Sequence, residues 1–91
     1  MVPYPLRGEI DLATAPEVAR ELLSVAAGSR DDVVLDCSAM TFIDSSGLEA
    51  LVSVAQALEC EHRKLVLLRV RPACRRPIEI TGLDRIFRVL G

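Results

Sequence analysis

The segment Asp44-Ser45-Ser46-Gly47 brings one carboxylate and two hydroxyl groups together directly after the strand-like residues 41–43. Apolar residues at helical spacing follow, and they predict a helix from about Ser46. The free N–H groups and the dipole of a helix N-terminus favour an anion, so a phosphate on a serine there can be accommodated without unfolding the helix. The segment is open to three interpretations: a helix cap, a nucleophilic serine or a phosphorylatable serine.

A nucleophilic serine is the weakest of these interpretations. The glycine pattern G-x-S-x-G of a hydrolase elbow is absent, and His62 is the only histidine that could act as a base. His62 follows the predicted helix at its far end, roughly 24 Å from the turn at 1.5 Å per residue. The sequence therefore predicts no enzyme activity. A phosphoserine of about −1.5 to −2 charge beside Asp44 would add repulsion and bulk, which suits switching a docking surface off.

The composition favours one small domain, residues 1–91, that works through its surface. A chain of 91 residues buries only about two-thirds of its unfolded surface, which is too little for a deep enclosed site. Aromatic residues make up 3% of the chain, so it lacks an aromatic platform for single-stranded nucleic acid. Three cysteines without C-x-x-C spacing and one histidine predict neither a metal site nor a cofactor.

The sequence also indicates where the protein resides. No apolar run reaches the roughly 18 residues of a membrane span, and residues 1–10 lack the pattern of a signal peptide. We therefore expect a cytoplasmic protein with no membrane partner.

Charged residues divide unevenly along the chain. Residues 1–62 hold 11 acidic and 3 basic residues, whereas residues 63–91 hold 8 basic and 2 acidic ones. The basic part indicates either a patch for an acidic partner or solvated charges on opposite faces, and the sequence leaves both open.

Short apolar runs alternate with amphipathic segments in the order β-α-β-α-β-α-β, which is typical of an α/β domain. We expect a single four-stranded sheet, mostly parallel or mixed, with helices and right-handed crossovers. The first strand, residues 2–7, carries two prolines and is therefore expected to be short and at an edge. The first helix is predicted to begin at Thr14, with Glu17 completing a capping box, and to end at Gly28. Its predicted core face comprises Val18, Ala19, Leu22, Leu23 and Ala26.

The later elements are predicted from the same patterns. Residues 32–37 form a central strand buried on both faces, residues 38–40 a loop, 64–70 a third strand, 72–80 a third helix and 86–90 a last strand. Pro77 is expected to shorten or kink the third helix. The second helix carries an apolar stripe, formed by Leu48, Leu51, Val52, Ala55 and Leu58. Further apolar residues beside that stripe indicate either a well-buried helix or a partner surface; they are Ala50, Val54 and Ala57.

Three segments resemble those of a known family. Residues 35–48, Leu-Asp-Cys-Ser-Ala-Met-Thr-Phe-Ile-Asp-Ser-Ser-Gly-Leu, are similar to the signature segment of STAS domains, in particular those of bacterial anti-sigma factor antagonists. Residues 6–15 resemble the Gly-Glu-hydrophobic-Asp segment that precedes the first helix of the family. Residues 80–87 resemble its Thr-Gly-Leu segment before the last strand.

The resemblance implies a STAS-like fold and a partner-switching function in transcription regulation. The first strand is shorter than is usual in the family, so we expect a truncated N-terminal edge strand. Such a protein, when unphosphorylated, binds an anti-sigma factor with a GHKL-type kinase fold and so frees a sigma factor. The kinase phosphorylates the serine directly after the aspartate, which is Ser45 by position, with Ser46 as the fallback. The resemblance implies a partner-binding surface formed by Gly8, Glu9, Asp11, Thr14, Asp44, Ser45, Ser46, Gly47 and Leu48. We expect a monomer or a weak dimer, because strand edges are left uncovered.

Two other functions are compatible with the sequence. A STAS protein can be a constitutive scaffold or a lipid-transport accessory protein, and a charge at Ser45 would then leave its binding unchanged. The cysteines suggest thiol-based redox control, for which Cys60 and Cys74 are the expected exposed thiols and Cys37 is a buried one.

Overall fold

A computed structural model describes residues 2–91, so Met1 of the predicted domain lies outside the described residues. The chain forms four strands and three α-helices in the predicted alternation, with one additional short 3₁₀ helix. Their bounds in chain order are β1 (Tyr4–Ile10), α1 (Ala15–Ala27), β2 (Val33–Ile43), α2 (Ser45–Glu59), β3 (Leu65–Leu68), α3 (Pro72–Ile80), the 3₁₀ helix (Leu83–Arg85) and β4 (Arg88–Leu90).

The four strands form one sheet in the order β1-β2-β3-β4, and every neighbouring pair is parallel. The α/β prediction and the edge position of β1 are confirmed. Strands in chain order with right-handed crossovers place their helices on one face of the sheet. The exposure of β2 agrees, because Leu35 and Cys37 are fully buried while Val34 and Asp36 are partly exposed. The prediction that this strand is buried on both faces is therefore wrong.

Several strand boundaries differ from the predicted ones because strand pairing extends or shortens them. β1 begins at Tyr4 and continues to Ile10, beyond the predicted end at residue 7, so this strand of seven residues is not the short one that was expected. β2 runs without a break through the predicted loop at residues 38–40, where Ala39 and Met40 pair with β1. β3 covers only Leu65–Leu68 of the predicted residues 64–70. β4 begins later than predicted, at Arg88, because the 3₁₀ helix and the turn after it take up the preceding residues.

The helices pack their apolar residues into one core with the sheet. In α1, Leu22 and Ala26 are buried as predicted, whereas Leu23 is exposed. In α2, Ala50 and Val54 are buried along with most of the predicted stripe, so the well-buried helix is the correct interpretation for both residues. Ala57 is exposed.

The third helix shows how an unfavourable residue is tolerated. α3 spans the predicted nine residues, Pro72–Ile80, with Pro77 in its interior, so the proline does not shorten the helix as expected. Cys74, which was expected to be exposed, is buried on this helix, and its Sγ lies 3.7 Å from the Met40 carbonyl oxygen. The buried residues of α3, Cys74 and Ile78, are four positions apart on one face, and that packing compensates for the missing N–H of the proline.

Arg63 is the one buried charged side chain among residues 2–91. Its Nη2 donates to the carbonyl of Ala26 at 2.9 Å and its Nε to the carbonyl of Asp31 at 2.7 Å, so it satisfies oxygens at and beyond the end of α1. Its Nη1 pairs with Glu61 at 2.8 Å.

Half of the eight basic residues after position 62 form ion pairs with acids, which favours the interpretation of solvated charges over a basic patch; they are Arg63, Lys64, Arg69 and Arg75.

An ion pair between β2 and the residue after β3 links two strands on the face of the sheet opposite the core. The Arg69 guanidinium donates to both carboxylate oxygens of Asp36, at 3.3 and 3.2 Å. These bonds from Arg69, and one from the Ser38 N–H, lower the pKa of Asp36 from 3.8 to about 2. A carboxyl whose pKa is lowered on folding stabilises the fold above its unfolded pKa, and loses that effect as the pH falls through its folded pKa.

We predict that Asp36→Asn lowers the free energy of unfolding above pH 4, and that its difference from the original protein shrinks as the pH falls from 4 towards 2. Urea denaturation at steps between pH 6 and pH 2 measures this. The control is Asp84→Asn, since Asp84 is exposed and forms no ion pair within residues 2–91. A difference for Asp36→Asn that is as large at pH 2 as at pH 6 would contradict the assignment.

Candidate functional site

The turn between β2 and α2 is built as a helix cap. Asp44 has an extended backbone, with φ −113° and ψ −169°, and its Oδ1 accepts a hydrogen bond from the Gly47 N–H at 3.1 Å. The Leu48 N–H donates to the Asp44 carbonyl at 2.9 Å and closes the first turn of α2. The cap interpretation is confirmed for Asp44, and the helix begins at Ser45 rather than Ser46. Because the carboxylate supplies the cap, the cap uses neither serine hydroxyl.

The two serines of this turn have different surroundings. Ser45 is exposed and lines a cleft between α2 and residues 81–83. Ser46 is partly exposed and lines a separate groove between α1 and α2. Ser45 is therefore the more accessible hydroxyl, which agrees with its choice as the predicted acceptor and with Ser46 as the fallback.

Gly47 lies against the end of β1 with no room for a side chain. A Cβ at Gly47 would lie 2.7 Å from Cγ1 of Ile43, 2.9 Å from Cγ2 of Ile10 and closer still to the Ile10 carbonyl oxygen. That same oxygen accepts a hydrogen bond from the Asp44 N–H at 3.2 Å. Only glycine allows this approach, so the last residue of β1 positions the first turn of α2.

The loop between β1 and α1 is held by Asp11 and Thr14. Asp11 Oδ1 accepts hydrogen bonds from the N–H groups of Ala13 and Thr14, at 3.0 and 3.1 Å. The Thr14 hydroxyl donates to the Glu9 carbonyl at 2.8 Å and makes no bond to the helix. The predicted capping box of Thr14 is therefore wrong, since this hydroxyl is used within the loop. α1 begins at Ala15, with Pro16 in its first turn as predicted.

The predicted surface residues before the first helix lie beside the Asp44 turn. Gly8 has φ +73° at an irregularity in the pairing of β1 with β2, where Gly8 pairs with Met40 and Glu9 with Phe42. Leu12, which is 77% exposed, lines the α1/α2 groove together with Ser46. The structure thus brings the residues 8–14 and the start of α2 to one end of the sheet. Their role in partner binding stays a prediction.

A third segment, residues 81–83, reaches the same region, and no local sequence pattern predicted its position there. Thr81 and Leu83 line the cleft that contains Ser45, a space of about 480 Å³. Gly82 between them has φ +73°, which allows the chain to turn into the 3₁₀ helix. The resemblance of residues 80–87 to the family was the available signal, but it did not locate them in space. The remaining lining residues belong to α2: Leu48, Glu49, Val52 and Ser53.

Four acidic residues lie around the turn. None of the carboxylates here forms an ion pair within residues 2–91, because the ion pairs of that range use other acids. These carboxylates belong to Glu9, Asp11, Asp44 and Glu49. The turn therefore presents unpaired carboxylates beside the segments that meet at this end of the sheet, which are residues 8–14, the start of α2 and residues 81–83.

The groups that would support other chemistry lie elsewhere or are buried. His62 is exposed in the turn after α2, at the end of the helix opposite Ser45. Burial raises the pKa of the Cys37 thiol to about 12 and also raises that of Cys74, which disfavours the thiolate at both positions. Cys60 is exposed, as predicted, after the last residue of α2. Within residues 2–91, no three His, Cys, Asp or Glu side chains gather as metal ligands would.

None of the helices described for residues 2–91 has the length and apolar character needed to cross a bilayer.

The parallel sheet, its three helices and the accessible serine at the start of α2 define a small α/β domain whose candidate site is a surface turn. A family model described as "STAS domain" matches residues 1–90. The chain belongs to the STAS domain family.

Related proteins carry names of one functional kind. The anti-sigma-F factor antagonist RsfB of Mycobacterium tuberculosis is 35% identical over 84 residues, which cover 92% of this chain and 68% of RsfB. The anti-sigma-B factor antagonist of Staphylococcus aureus is 30% identical over 82 residues, covering 90% of this chain and 76% of that protein. Both are named as antagonists of anti-sigma factors.

Solved structures show the same architecture. The crystal structure of an anti-sigma factor antagonist from Mycobacterium paratuberculosis matches with a TM-score of 0.80 at 38% identity, covering 93% of this chain and 72% of that one. SpoIIAA, an anti-sigma factor antagonist in its unphosphorylated form, matches with a TM-score of 0.77 at 19% identity, over 96% of this chain and 76% of its own. The second likeness supports the fold alone.

We predict that Gly47→Ala lowers the free energy of unfolding by about 1–3 kcal/mol, because the added methyl group must displace the Ile10 carbonyl or the helix. Chemical denaturation measures the loss. Gly28→Ala is the matched control, since a Cβ at Gly28 would meet its nearest atom at an ordinary 3.5 Å. That control should leave stability unchanged or raise it by up to about 1 kcal/mol. Equal effects of the two substitutions would show that the contact at Gly47 is not tight.

Proposed function

We propose that this protein is a non-enzymatic anti-sigma factor antagonist, a single domain that works by partner switching in transcription regulation. Unphosphorylated, it binds an anti-sigma factor with a GHKL-type kinase fold through the surface around Asp44, and so frees a sigma factor. The kinase then phosphorylates Ser45 and the complex dissociates. The names of the STAS relatives support the antagonist function, and the exposed hydroxyl of Ser45 beside the capped turn is the observation that carries the switch.

The cap by Asp44 is compatible with phosphorylation of the next residue. The carboxylate already accepts the Gly47 N–H, so the Ser45 hydroxyl can be modified without breaking the bond that begins the helix. The positive end of the helix dipole tolerates an added anion, so the fold should survive the modification. The switch therefore acts on the surface and leaves the core intact.

The surface would change strongly even though the fold persists. A phosphate adds about −1.5 to −2 charge at pH 7 to a turn that already carries several unpaired carboxylates. Its bulk would stand at the cleft that Ser45 lines with Leu48 and Thr81. A partner side chain fitted to the unmodified cleft would therefore be obstructed by the bulk of the phosphate.

The proposed contact surface combines the two segments that meet at the end of the sheet. In the first, Glu9 and Thr14 are exposed, and the hydrogen bonds of Asp11 and Thr14 shape the loop that follows Gly8. In the second, Ser45 and Ser46 face the solvent, and the buried Gly47 and Leu48 fix the height of the helix above the sheet.

We predict that a GHKL-type anti-sigma factor from the same genome, incubated with this protein and ATP, transfers one phosphate to Ser45. Mass spectrometry of the digested product locates the phosphate. Ser45→Ala should abolish the transfer, whereas Ser46→Ala should retain it because Ser46 is the less accessible hydroxyl. If neither Ser45 nor Ser46 carries phosphate after the incubation, the proposed switch is rejected.

We predict further that Ser45→Asp weakens binding of the same anti-sigma factor by about tenfold or more, which corresponds to about 1.4 kcal/mol. Isothermal titration calorimetry measures the dissociation constant. Ser24→Asp is the control, since Ser24 is exposed in the C-terminal half of α1, away from the turn. Unchanged binding by Ser45→Asp would instead favour a constitutive scaffold or a lipid-transport accessory role.

A further inference from the structure

The cleft beside Ser45 has a shape and a chemistry of its own. Its walls are apolar where α2 faces the turn before the last strand, with Leu48 buried and Val52 and Leu83 partly exposed. Ser45, Ser53 and Thr81 also line it, although the hydroxyls of Ser53 and Thr81 donate to backbone carbonyls, and the exposed Glu49 completes the lining. The space of about 480 Å³ is open to solvent and accommodates an extended side chain.

We propose that this cleft receives a lysine or arginine side chain of the partner, with the aliphatic stem against Val52 and Leu83 and the cationic head at Glu49. The proposal deepens the function proposed above by naming what the partner inserts. It makes Glu49 a specificity-determining residue of this chain.

Charge complementarity selects this occupant over a purely apolar one. An apolar side chain would cover Val52 and Leu83 but would also shield the Glu49 carboxylate from water without giving it a partner, which is unfavourable. A long cationic side chain covers the same apolar surface and pairs with the carboxylate. Within residues 2–91, Glu49 forms no ion pair that would compete with such a partner.

Other acidic residues near the cleft also favour a cationic occupant. Glu49 also lines the groove between α1 and α2, so it stands on the ridge between the two depressions that flank the start of α2. Asp44 and Glu9 are further acidic residues at this end of the sheet, and neither forms an ion pair within residues 2–91. Arg85, the basic residue of the 3₁₀ helix, lines a different depression, with Gln56 and Glu59. A cation approaching the cleft is therefore attracted before contact is made.

The cleft can be tested with small probes, independently of any anti-sigma factor. n-Butylguanidinium reproduces the stem and head of an arginine, and n-butylurea is its uncharged counterpart of nearly the same shape. Titrations followed by methyl NMR should shift the signals of Leu48, Val52 and Leu83 with both probes. The guanidinium probe should bind about two- to fivefold more tightly at low salt, as expected for an exposed ion pair, and lose that advantage at 0.5 M NaCl.

Two glutamate variants on the same helix decide the role of the charge. Glu49→Gln should abolish the preference for the guanidinium probe, whereas Glu59→Gln should retain it because Glu59 lies at the other end of α2, beside Lys64. Equal binding of the two probes by the original protein, or shifts confined to residues outside the cleft, would overturn the proposal. Because no anti-sigma factor takes part, that failure is distinct from a failure of the proposed function.

The same variants connect the cleft to partner binding. With an anti-sigma factor that binds the unmodified protein, Glu49→Gln should weaken association severalfold more than Glu59→Gln, and the difference should shrink at high salt. If the probes select the cation but the two variants bind the anti-sigma factor equally, the cleft is a cation site that this partner does not use, and the proposal fails for that partner.

Discussion

The close approach of Gly47 to the carbonyl of Ile10 is the contact on which the architecture of the site depends. It joins the last residue of β1 to the first turn of α2, and the Asp44 N–H donates to the same oxygen at 3.2 Å. A side chain at position 47 would push the helix away from the strand. The close packing of α2 against the end of β1 therefore depends on one position that has no side chain.

That contact also explains why segments far apart in sequence converge. Because β1 and β2 are parallel neighbours, both end at the same edge of the sheet, and the chain leaves each strand into a helix. The loop after β1 is stiffened by the bonds between Asp11 and Thr14, so it has a defined shape beside the turn. A rigid surface loses less conformational entropy on binding than a flexible one, which suits a protein that acts by docking.

Local patterns predicted much of this fold, and long-range pairing accounts for most of what they missed. The order of the elements, the helix after Asp44 and the nine-residue span of α3 could be predicted because apolar spacing, proline and glycine act within a few residues. Residues 38–40 looked like a loop, yet β2 runs through them and Ala39 and Met40 pair with β1, more than 30 positions earlier in the chain. Cys74 looked exposed for a similar reason, since its burial depends on Met40 of a distant strand.

In the candidate site, too, local patterns could be predicted and contacts between distant segments could not. The helix cap at Asp44-Ser45-Ser46-Gly47 could be predicted from four residues, whereas the choice of Ser45 as phosphate acceptor rests on the family resemblance and stays a prediction. The hydroxyl of Thr14 had the spacing of a cap, but the Glu9 carbonyl competes for it, and only the path of the loop reveals that competitor. The cleft is further removed from sequence patterns, because its second wall comes from Thr81 and Leu83, which the turn at Gly82 brings back to α2.

At the start of α2, two different residues meet two separate requirements. A helix cap and a phosphorylatable serine, which the sequence left as alternatives, are therefore compatible there. A helix needs its first N–H groups satisfied, and a phosphorylatable serine needs a free hydroxyl; one residue cannot serve both needs without linking modification to unfolding. Here the carboxylate of Asp44 accepts the Gly47 N–H while Ser45 remains exposed. A phosphate at Ser45 can thus change the charge and shape of the surface while the cap and the glycine contact hold the helix in place.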